Sequence, residues 1–427
     1  MEYGKVLRFH RVKQGLTQNQ LADGIISPAY LSKIENNQTV PASEVLEMLY
    51  ERLGLEFHDA SYSHPSKEKL KKWYEAIMFK RKEEARRLKE ELLSQQDMRN
   101  NHHLYIYYKL YSIRHFLLEN EVEEAYEAWS EIKQHLDTFD DEMKYYYHLS
   151  NGLLQYYRSD FEESFQQLMK AEVLSRSMNM ESWEVSDLFY HLALSSSQAH
   201  HVSASIFYTE QALRIYKDHY DLGKSADCHL ILGISFSRLQ NHEKARENYE
   251  SALKIASQTK DHQQLKLVYI NMAVLDSNLD NHTLSIEHYK KSLEYTEASS
   301  STYDIYEYMN IIHGLILEHY LIGNKEGCLY WVNEGKQRLV DFPSKEHTYH
   351  FDVFQKILTN APDTLEFLED EVLPYFKEMK DPEYVIRYAK FLADLFEKQR
   401  MYKRSSEYLR LAMQLLNKHS HLGGMIL

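Results

Sequence analysis

The chain predicts an all-α protein in which a short helix-turn-helix precedes about nine helical hairpins wound into a right-handed superhelix. Three observations carry this. Glycine and proline are scarce, 13 and 7 among 427 residues, fewer than strand-and-turn architectures use. Two helix-start signals, at Thr17 and Ser27, stand close together near the N-terminus. Beyond residue 66, small residues recur every 40 or 41 positions.

Bulk composition narrows the classes. Hydrophobic residues make up 43% and charged residues 27%, which suits a folded chain rather than a disordered one. The net charge is −14, which argues against nucleic acid coating the whole surface. Residues 1–42 hold five Lys/Arg and three acids and sum to +2, so the remainder carries −16. A mildly basic head on an acidic body fits a local DNA contact. No N-terminal stretch resembles a signal peptide, and no run of about 18 apolar residues could span a bilayer. Cys228 and Cys328 lie 100 residues apart and read as reduced thiols. A cytoplasmic protein with no membrane partner is expected.

The head justifies its helices one by one. Val6, Leu7 and Val12 give an apolar face interleaved with Lys5, Arg8, Arg11 and Lys13, and Gly15 ends that helix. Thr17-Gln18-Asn19-Gln20 is a capping box, because Thr17 can cap and Gln20 can reach back. Leu21 and Ala22 face inward. Ser27 is a second cap, with Pro28 at the first helical position, where its missing N–H costs nothing. The third helix runs to about Asn36, and Ser43 caps a fourth with Val45, Leu46, Leu49 and Leu53 inside. Two short helices joined by a tight turn make a helix-turn-helix. The same pattern would also suit a helical domain that binds a protein.

The run LTQNQLADGIISPAYLSKIENNQTVP resembles the DNA-binding domain of the phage repressor and Cro class (the lambda-repressor-like fold). The specific residues are Leu16-Thr17-Gln18, Leu21-Ala22, Ser27 and Leu31 through Asn36. The resemblance implies that the helix from Ser27 enters the major groove. Gln18 and Ser27 would then meet phosphates, Pro28, Ala29, Tyr30 and Lys33 would face DNA, and Asn37 would meet the backbone. Pro28 and Ala29 have no side-chain donors, so base selectivity would rest on Lys33, methyl contacts and DNA shape.

Domain boundaries follow: residues 1–60 form the head, 61–66 a linker, and 67–420 the repeats. Gly152, Ala193, Gly233, Ala273 and Gly314 recur at 41, 40, 40 and 41 residues. Stepping outward reaches Ile113, Trp73, Val353 and Ala393. The clearest unit has Gly233 followed by Ala245, Tyr249 and Ala252 at offsets of 12, 16 and 19. That resembles the tetratricopeptide signature, in which a small residue on one helix admits an aromatic from the next. The unit near Val353 is the weakest, with Pro362 and Pro374 interrupting it. Such arrays present a concave wall built from first helices. In this register the wall includes Tyr156, Asp187, Tyr190, His191, Asp227, Arg238, Asn271, Ser277, Asn278 and Tyr308. Asn can hold an extended peptide backbone, and Arg238 could pair with a peptide carboxylate. Singly, each could instead pack within the array.

A repressor-class head joined to about nine such hairpins resembles the peptide quorum-sensing receptors of Gram-positive bacteria, the PlcR, Rgg, PrgX, NprR and Rap groups. Length and repeat number look most like NprR. The resemblance implies a transcription regulator with double-stranded DNA, a short signalling peptide and a second copy of itself as partners, in a homodimer or higher homo-oligomer. One segment also resembles the N-terminal region of Rap proteins, through Tyr107, Tyr108, Leu110, Arg114 and His115. It implies a further partner, a sporulation response regulator, held through residues 67–140. The alternative function is therefore an adaptor that sequesters such a regulator. Rap proteins carry a Gln just before the tyrosines; here that place holds His102, with Gln95 and Gln96 further back, which argues against phosphatase activity.

The basic-rich stretch Lys67–Lys89 reads as an amphipathic helix with a solvated face. The pairs His102-His103 and His200-His201, and His347 with His350, lack Cys or carboxylate companions at metal-binding spacing. No phosphate-binding glycine loop and no nucleophile elbow occurs. No enzyme activity, cofactor or metal is expected.

Overall fold

A computed structural model describes residues 3–36, 38–39, 41–55, 65–94, 102–296 and 302–418. All regular structure among them is helical. The chain divides into two compact units, Met1–Glu184 and Val185–Leu427, each described by itself.

Unit 1 begins with the head: α1 (Tyr3–Lys13), α2 (Gln18–Ala22), α3 (Pro28–Glu35) and α4 (Ser43–Arg52). Gly15 closes α1 at φ +69°, a backbone conformation that only glycine adopts without strain. Both halves of the capping box form. The Gln20 N–H donates to Thr17 Oγ1 at 3.2 Å, and the Thr17 N–H donates to Gln20 Oε1 at 2.8 Å. Ser27 Oγ accepts the Tyr30 N–H at 3.2 Å, with Pro28 opening α3. Leu7, Leu21, Leu31, Ile34, Leu46 and Leu49 form the core beneath.

Two expectations for the head are corrected. Val12 is 49% exposed, not inside. Five residues separate it from Leu7, which turns it about 140° around the helix, away from the core. Ser43 is not the cap of α4. Ala42 holds the cap position with extended backbone and makes no side-chain hydrogen bond.

Hairpin 1 of unit 1 pairs α5 (Pro65–Met78) with α6 (Lys82–Leu93). The Lys67–Lys89 stretch is therefore two helices broken at Lys80 (φ 55°). Many of its cations are ion-paired, Lys69 with Glu91 at 2.7 Å and Arg86 with Glu119 at 2.6 Å among them. Hairpin 2 is His102–Leu118 with Val122–Lys133, and hairpin 3 is Asp141–Tyr157 with Phe161–Ser175. The head docks on hairpin 2 through α1. Phe9 is buried against Tyr105 and His135, with ring centroids 5.7 and 4.8 Å away. Lys13 Nζ sits 4.2 Å above the Tyr105 ring, and Arg8 meets Asp137 at 2.8 Å. The linker expected at 61–66 falls mostly outside the described residues.

Unit 2 holds most of hairpin 4 (Ser182–Gln198 with Val202–Asp218; its first turn lies in unit 1). Hairpins 5 and 6 follow as Leu222–Arg238 with His242–Thr259 and His262–Asn278 with His282–Tyr295. Hairpin 7 is Thr302–Leu321 with Lys325–Asp341. Hairpin 8 starts with Lys345–Thr359, and hairpin 9 is Pro382–Lys398 with Tyr402–Lys418. In hairpin 8 the second helix is broken into Thr364–Phe367, a π-turn at Leu368–Val372, and Leu373–Glu378. Pro374 sits just beyond the π-turn, where a residue without an N–H cannot continue the regular ladder.

The register residues explain the period. Trp73, Ile113, Ala193, Ala273, Val353 and Ala393 are at most 1% exposed. A Cβ on Gly233 would lie 2.3 Å from the Tyr249 ring, and one on Gly152 would lie 2.6 Å from Leu168. The close approach of paired helices thus depends on the missing side chain.

Among the described residues each of the nine hairpins also turns on one left-handed residue: Lys80, Asn120, Ser159, His200, Gln240, Asp280, Gly323, Asn360 and Arg400. Tyr220, Lys260 and Lys380 repeat the conformation between hairpins. Most of these are poorly suited to it, since a Cβ there costs about 1–2 kcal/mol. Tyr220 is 87% exposed at φ 57°, so Tyr220→Gly should raise stability by about 0.5–1 kcal/mol after the added unfolded-state entropy. Chemical denaturation checks this, and a loss of stability would show that the turn strain is absent.

Candidate nucleic-acid and peptide interfaces

In the head, Arg11 on α1 grips Glu35 at the end of α3. Its Nε and Nη2 donate to the two carboxylate oxygens at 2.6 and 2.9 Å, and its Nη1 donates to the Leu16 carbonyl at 2.9 Å. The Glu35 side chain is 1% exposed. Gln18 Nε2 adds a third donor at 2.7 Å. A bidentate guanidinium and a side-chain amide therefore fix where α3 lies relative to α1 and α2.

Beyond that clamp, Ser27, Pro28, Ala29 and Lys33 are exposed on α3. Tyr30 is half-buried against the head core. The structure thus brings together five of the seven residues expected to face DNA. Gln18 is turned instead toward Glu35, so its amide holds the helix rather than projecting outward. Asn37 lies outside the described residues. Several cations of the head already have partners. Arg8 and Arg11 are ion-paired, and Arg52 donates to the Leu21 and Asp23 carbonyls. Among the described residues of the head, Lys33 is exposed and carries no ion pair.

The residues expected on the peptide-facing wall mostly serve to join neighbouring hairpins. In unit 2, the Tyr190 hydroxyl donates to Asp227 at 3.1 Å. Gln264 Nε2 donates to the other Asp227 oxygen at 2.8 Å, which links hairpins 4, 5 and 6. Lys224 Nζ lies 3.7 Å over the Tyr190 ring. Asp187 is buried and faces His191 at 3.4 Å. Ser277 Oγ donates to Glu318 at 2.5 Å.

Arg238 corrects the sequence reading. Its guanidinium donates to the Ser197 carbonyl and, at 3.1 Å, to the Ser197 hydroxyl, so it braces hairpin 5 against hairpin 4 and is not a free partner for a carboxylate. Asn271 Nδ2 donates back to the Leu267 carbonyl at 2.8 Å, which leaves its carbonyl oxygen available on a half-exposed surface. The Asn278 side chain is half-exposed and makes no hydrogen bond among the described residues. Tyr308 lies under Arg338, 5.2 Å from the guanidinium. Tyr156 belongs to unit 1, where it packs on Phe161.

The Tyr107–His115 motif is also internal. Tyr107, Leu110, Arg114 and His115 are all at most 8% exposed. Tyr108 stacks on Trp73 at 5.3 Å, and Arg114 donates to the Tyr74 hydroxyl at 3.3 Å. Burial lowers the His115 pKa to about 4. These side chains seat hairpin 2 on hairpin 1; Tyr108 alone among them is half-buried, and the others are buried. Gln95 and Gln96 and the His102 side chain lie outside the described residues.

Cys228 and Cys328 are buried free thiols, and burial pushes both up to about 12, so neither is poised for redox chemistry. Among the described residues no group of His, Cys, Asp and Glu could hold a metal ion, and no helix is long and apolar enough to cross a membrane. Sequence reasoning missed one site altogether, a cavity in unit 1 walled by Tyr74, Tyr146, Trp183 and Glu184. Its only signal was aromatic recurrence: Tyr74, Tyr111, Tyr146 and Trp183 stand 37, 35 and 37 residues apart.

Comparison with known proteins matches this architecture. A helix-turn-helix family model covers residues 7–59, and a tetratricopeptide-repeat model covers residues 226–298. The apo form of the quorum sensor NprR from B. thuringiensis shares the fold, with a TM-score of 0.71 at 19% identity over 82% of this chain and 98% of that one. NprR in complex with its cognate peptide NprX gives 0.61 at 19% identity, over 84% and 99%. The transcriptional activator NprA of Geobacillus stearothermophilus is 37% identical over 404 residues, 93% of this chain and 98% of its own length. Identity at that level along nearly the whole of both chains settles the kinship: the chain belongs to the family of the transcriptional activator NprA, a helix-turn-helix followed by tetratricopeptide repeats.

Proposed function

We propose that this protein is a cytoplasmic transcription regulator that binds DNA through α3 and is controlled by a short signalling peptide held by first helices of the repeats. The observation that carries the DNA half is the geometry of α3. Its exposed face is short on donors, is anchored by a buried Arg11–Glu35 pair, and presents Lys33. The relative NprA is a transcriptional activator, which supports the same reading. The peptide half is supported by the NprR–NprX complex, a protein of the same fold with a peptide bound. Within unit 2, Asn271 and Asn278 keep side-chain hydrogen-bonding capacity on half-exposed surface, so they are the proposed peptide contacts. With few base-reading donors on α3, selectivity would come largely from the spacing of two heads in a dimer. In domain terms, residues 1–60 bind DNA and 67–420 sense the peptide and oligomerise.

Selection from a random duplex pool supplies the DNA ligand for the test. Lys33→Ala should then weaken binding by about tenfold, within the usual 1–3 kcal/mol for a major-groove cation. Unchanged affinity would remove α3 from the interface. The peptide contact is checked by thermal melting with a synthetic library of short peptides. Some peptides should raise the melting temperature of the wild type, and the shift should be lost in Asn271→Ala. In the adaptor reading, a response regulator held through residues 67–140 would have to meet side chains other than Tyr107, Leu110, Arg114 and His115, which are interior.

A further inference from the structure

A cavity of about 330 Å³ opens in unit 1, lined by α5, the first helices of hairpins 2 and 3, and the segment 178–184. Its floor is four tyrosines, Tyr74, Tyr107, Tyr111 and Tyr146, each under 10% exposed. Tyr74 stacks on Tyr111 at 4.3 Å, and Tyr146 meets them edge-on at 5.2 and 5.1 Å. Trp183 leans beside Tyr74 at 6.1 Å. Two half-buried carboxylates, Glu142 and Glu184, stand in this aromatic wall. The Tyr146 hydroxyl donates to Glu184 Oε1 at 2.9 Å and the Glu181 N–H reaches Oε2 at 3.3 Å, while the Glu142 charge acts on the Tyr107 hydroxyl. Neither carboxylate has an ion-pair partner among the described residues. The exposed rim carries Glu68, Lys67 and Lys71, and Lys71 pairs with Glu181 at 3.5 Å.

The wall selects by charge. Aromatic faces present negative charge to whatever fills the space between them. Two carboxylates add to it, and because burial pushes the Glu184 carboxyl up, toward its neutral form, a cation bound beside it would help hold its charge. An anion would meet repulsion from both carboxylates and from the ring faces, with Lys67 and Lys71 to favour it only at the exposed rim and Arg114 already committed to the Tyr74 hydroxyl behind the floor. A neutral apolar ligand would desolvate both carboxylates with nothing in return. A cation on a slim hydrocarbon arm satisfies the rings and the carboxylates together. The volume lies at the lower end of ordinary small-ligand sites. We propose that this cavity binds an alkylammonium or alkylguanidinium group, received against Tyr74, Tyr146 and Trp183 and paired with Glu142 and Glu184.

The proposal stands apart from the DNA and peptide reading and is tested on the full chain by titration calorimetry. The probes are agmatine, N-acetyl-arginine amide and the neutral analogue N-butylurea. One or both cations should bind, with the urea at least about tenfold weaker, and Glu184→Gln and Glu142→Gln should each weaken the cation by about tenfold or more. Melting temperatures should stay close to wild type, and if Glu184→Gln unfolds, Glu142→Gln carries the test. Tighter binding of agmatine assigns the site to a free metabolite. Tighter binding of the arginine amide assigns it to a basic side chain on a peptide. No binding by either cation, equal binding of the urea, or indifference to both folded variants overturns the proposal.

Discussion

Arg11→Ala should destabilise the head by about 3–5 kcal/mol, because it strands Glu35 as a buried charge without its partner. The Glu35 side chain is 1% exposed and takes two of its three hydrogen bonds from Arg11. Gln18 alone cannot compensate a full charge. The loss should be local, since the pair ties α1 to α3 and does not touch the hairpins. Hydrogen exchange of the α3 amides therefore reads it best, and protection should fall at least about a hundredfold. DNA binding should fall with it, although Arg11 faces away from the exposed surface of α3. The double variant Arg11→Ala with Glu35→Leu should recover part of the protection, because no stranded charge remains. Failure to recover any would show that the guanidinium acts by packing rather than by charge.

Gly233→Val should cost about 3 kcal/mol, at the upper end for overpacking. Even one added carbon would fall 2.3 Å from the Tyr249 ring, and that ring is 2% exposed with no space to retreat. The two helices of hairpin 5 would have to part. In a repeat array each hairpin is supported chiefly by its neighbours, so the damage should spread to hairpins 4 and 6. Chemical denaturation should show a lower midpoint. Adding Tyr249→Ala should make the double variant less destabilised than the sum of the singles, since the ring that clashes is gone. Simple additivity would mean that the glycine is not there to admit the tyrosine.

What was legible in the sequence was local or periodic. Thr17 and Ser27 reveal helix starts because a cap acts within three residues of itself. Ser43 misled because the cap position is set by the extended backbone of Ala42, which composition does not show. The period was legible because Gly152, Ala193, Gly233 and Ala273 must all be small for the same reason. The turns were not, since Lys80, His200 and Tyr220 adopt a conformation usually announced by Gly or Asn. The candidate wall residues were placed on the right helices, but their partners lie 37 to 41 residues away: Tyr190 with Asp227, Gln264 with Asp227, Arg238 with Ser197. Separations of that length become contacts only once the hairpins stack, and so Arg238 looked free in the sequence and is a brace in the structure. The tyrosine-floored cavity was hidden for the same reason, as its walls come from several separate segments.

A peptide on the repeats is expected to change how the head holds DNA. The direct measurement is the affinity of the full chain for a selected duplex, at fixed salt, with and without a peptide that raises its melting temperature. Coupling of the usual 1–3 kcal/mol predicts a change of about 5- to 150-fold, up or down, that disappears in Asn271→Ala. An affinity that stays the same at saturating peptide would contradict the account, however tightly the peptide binds.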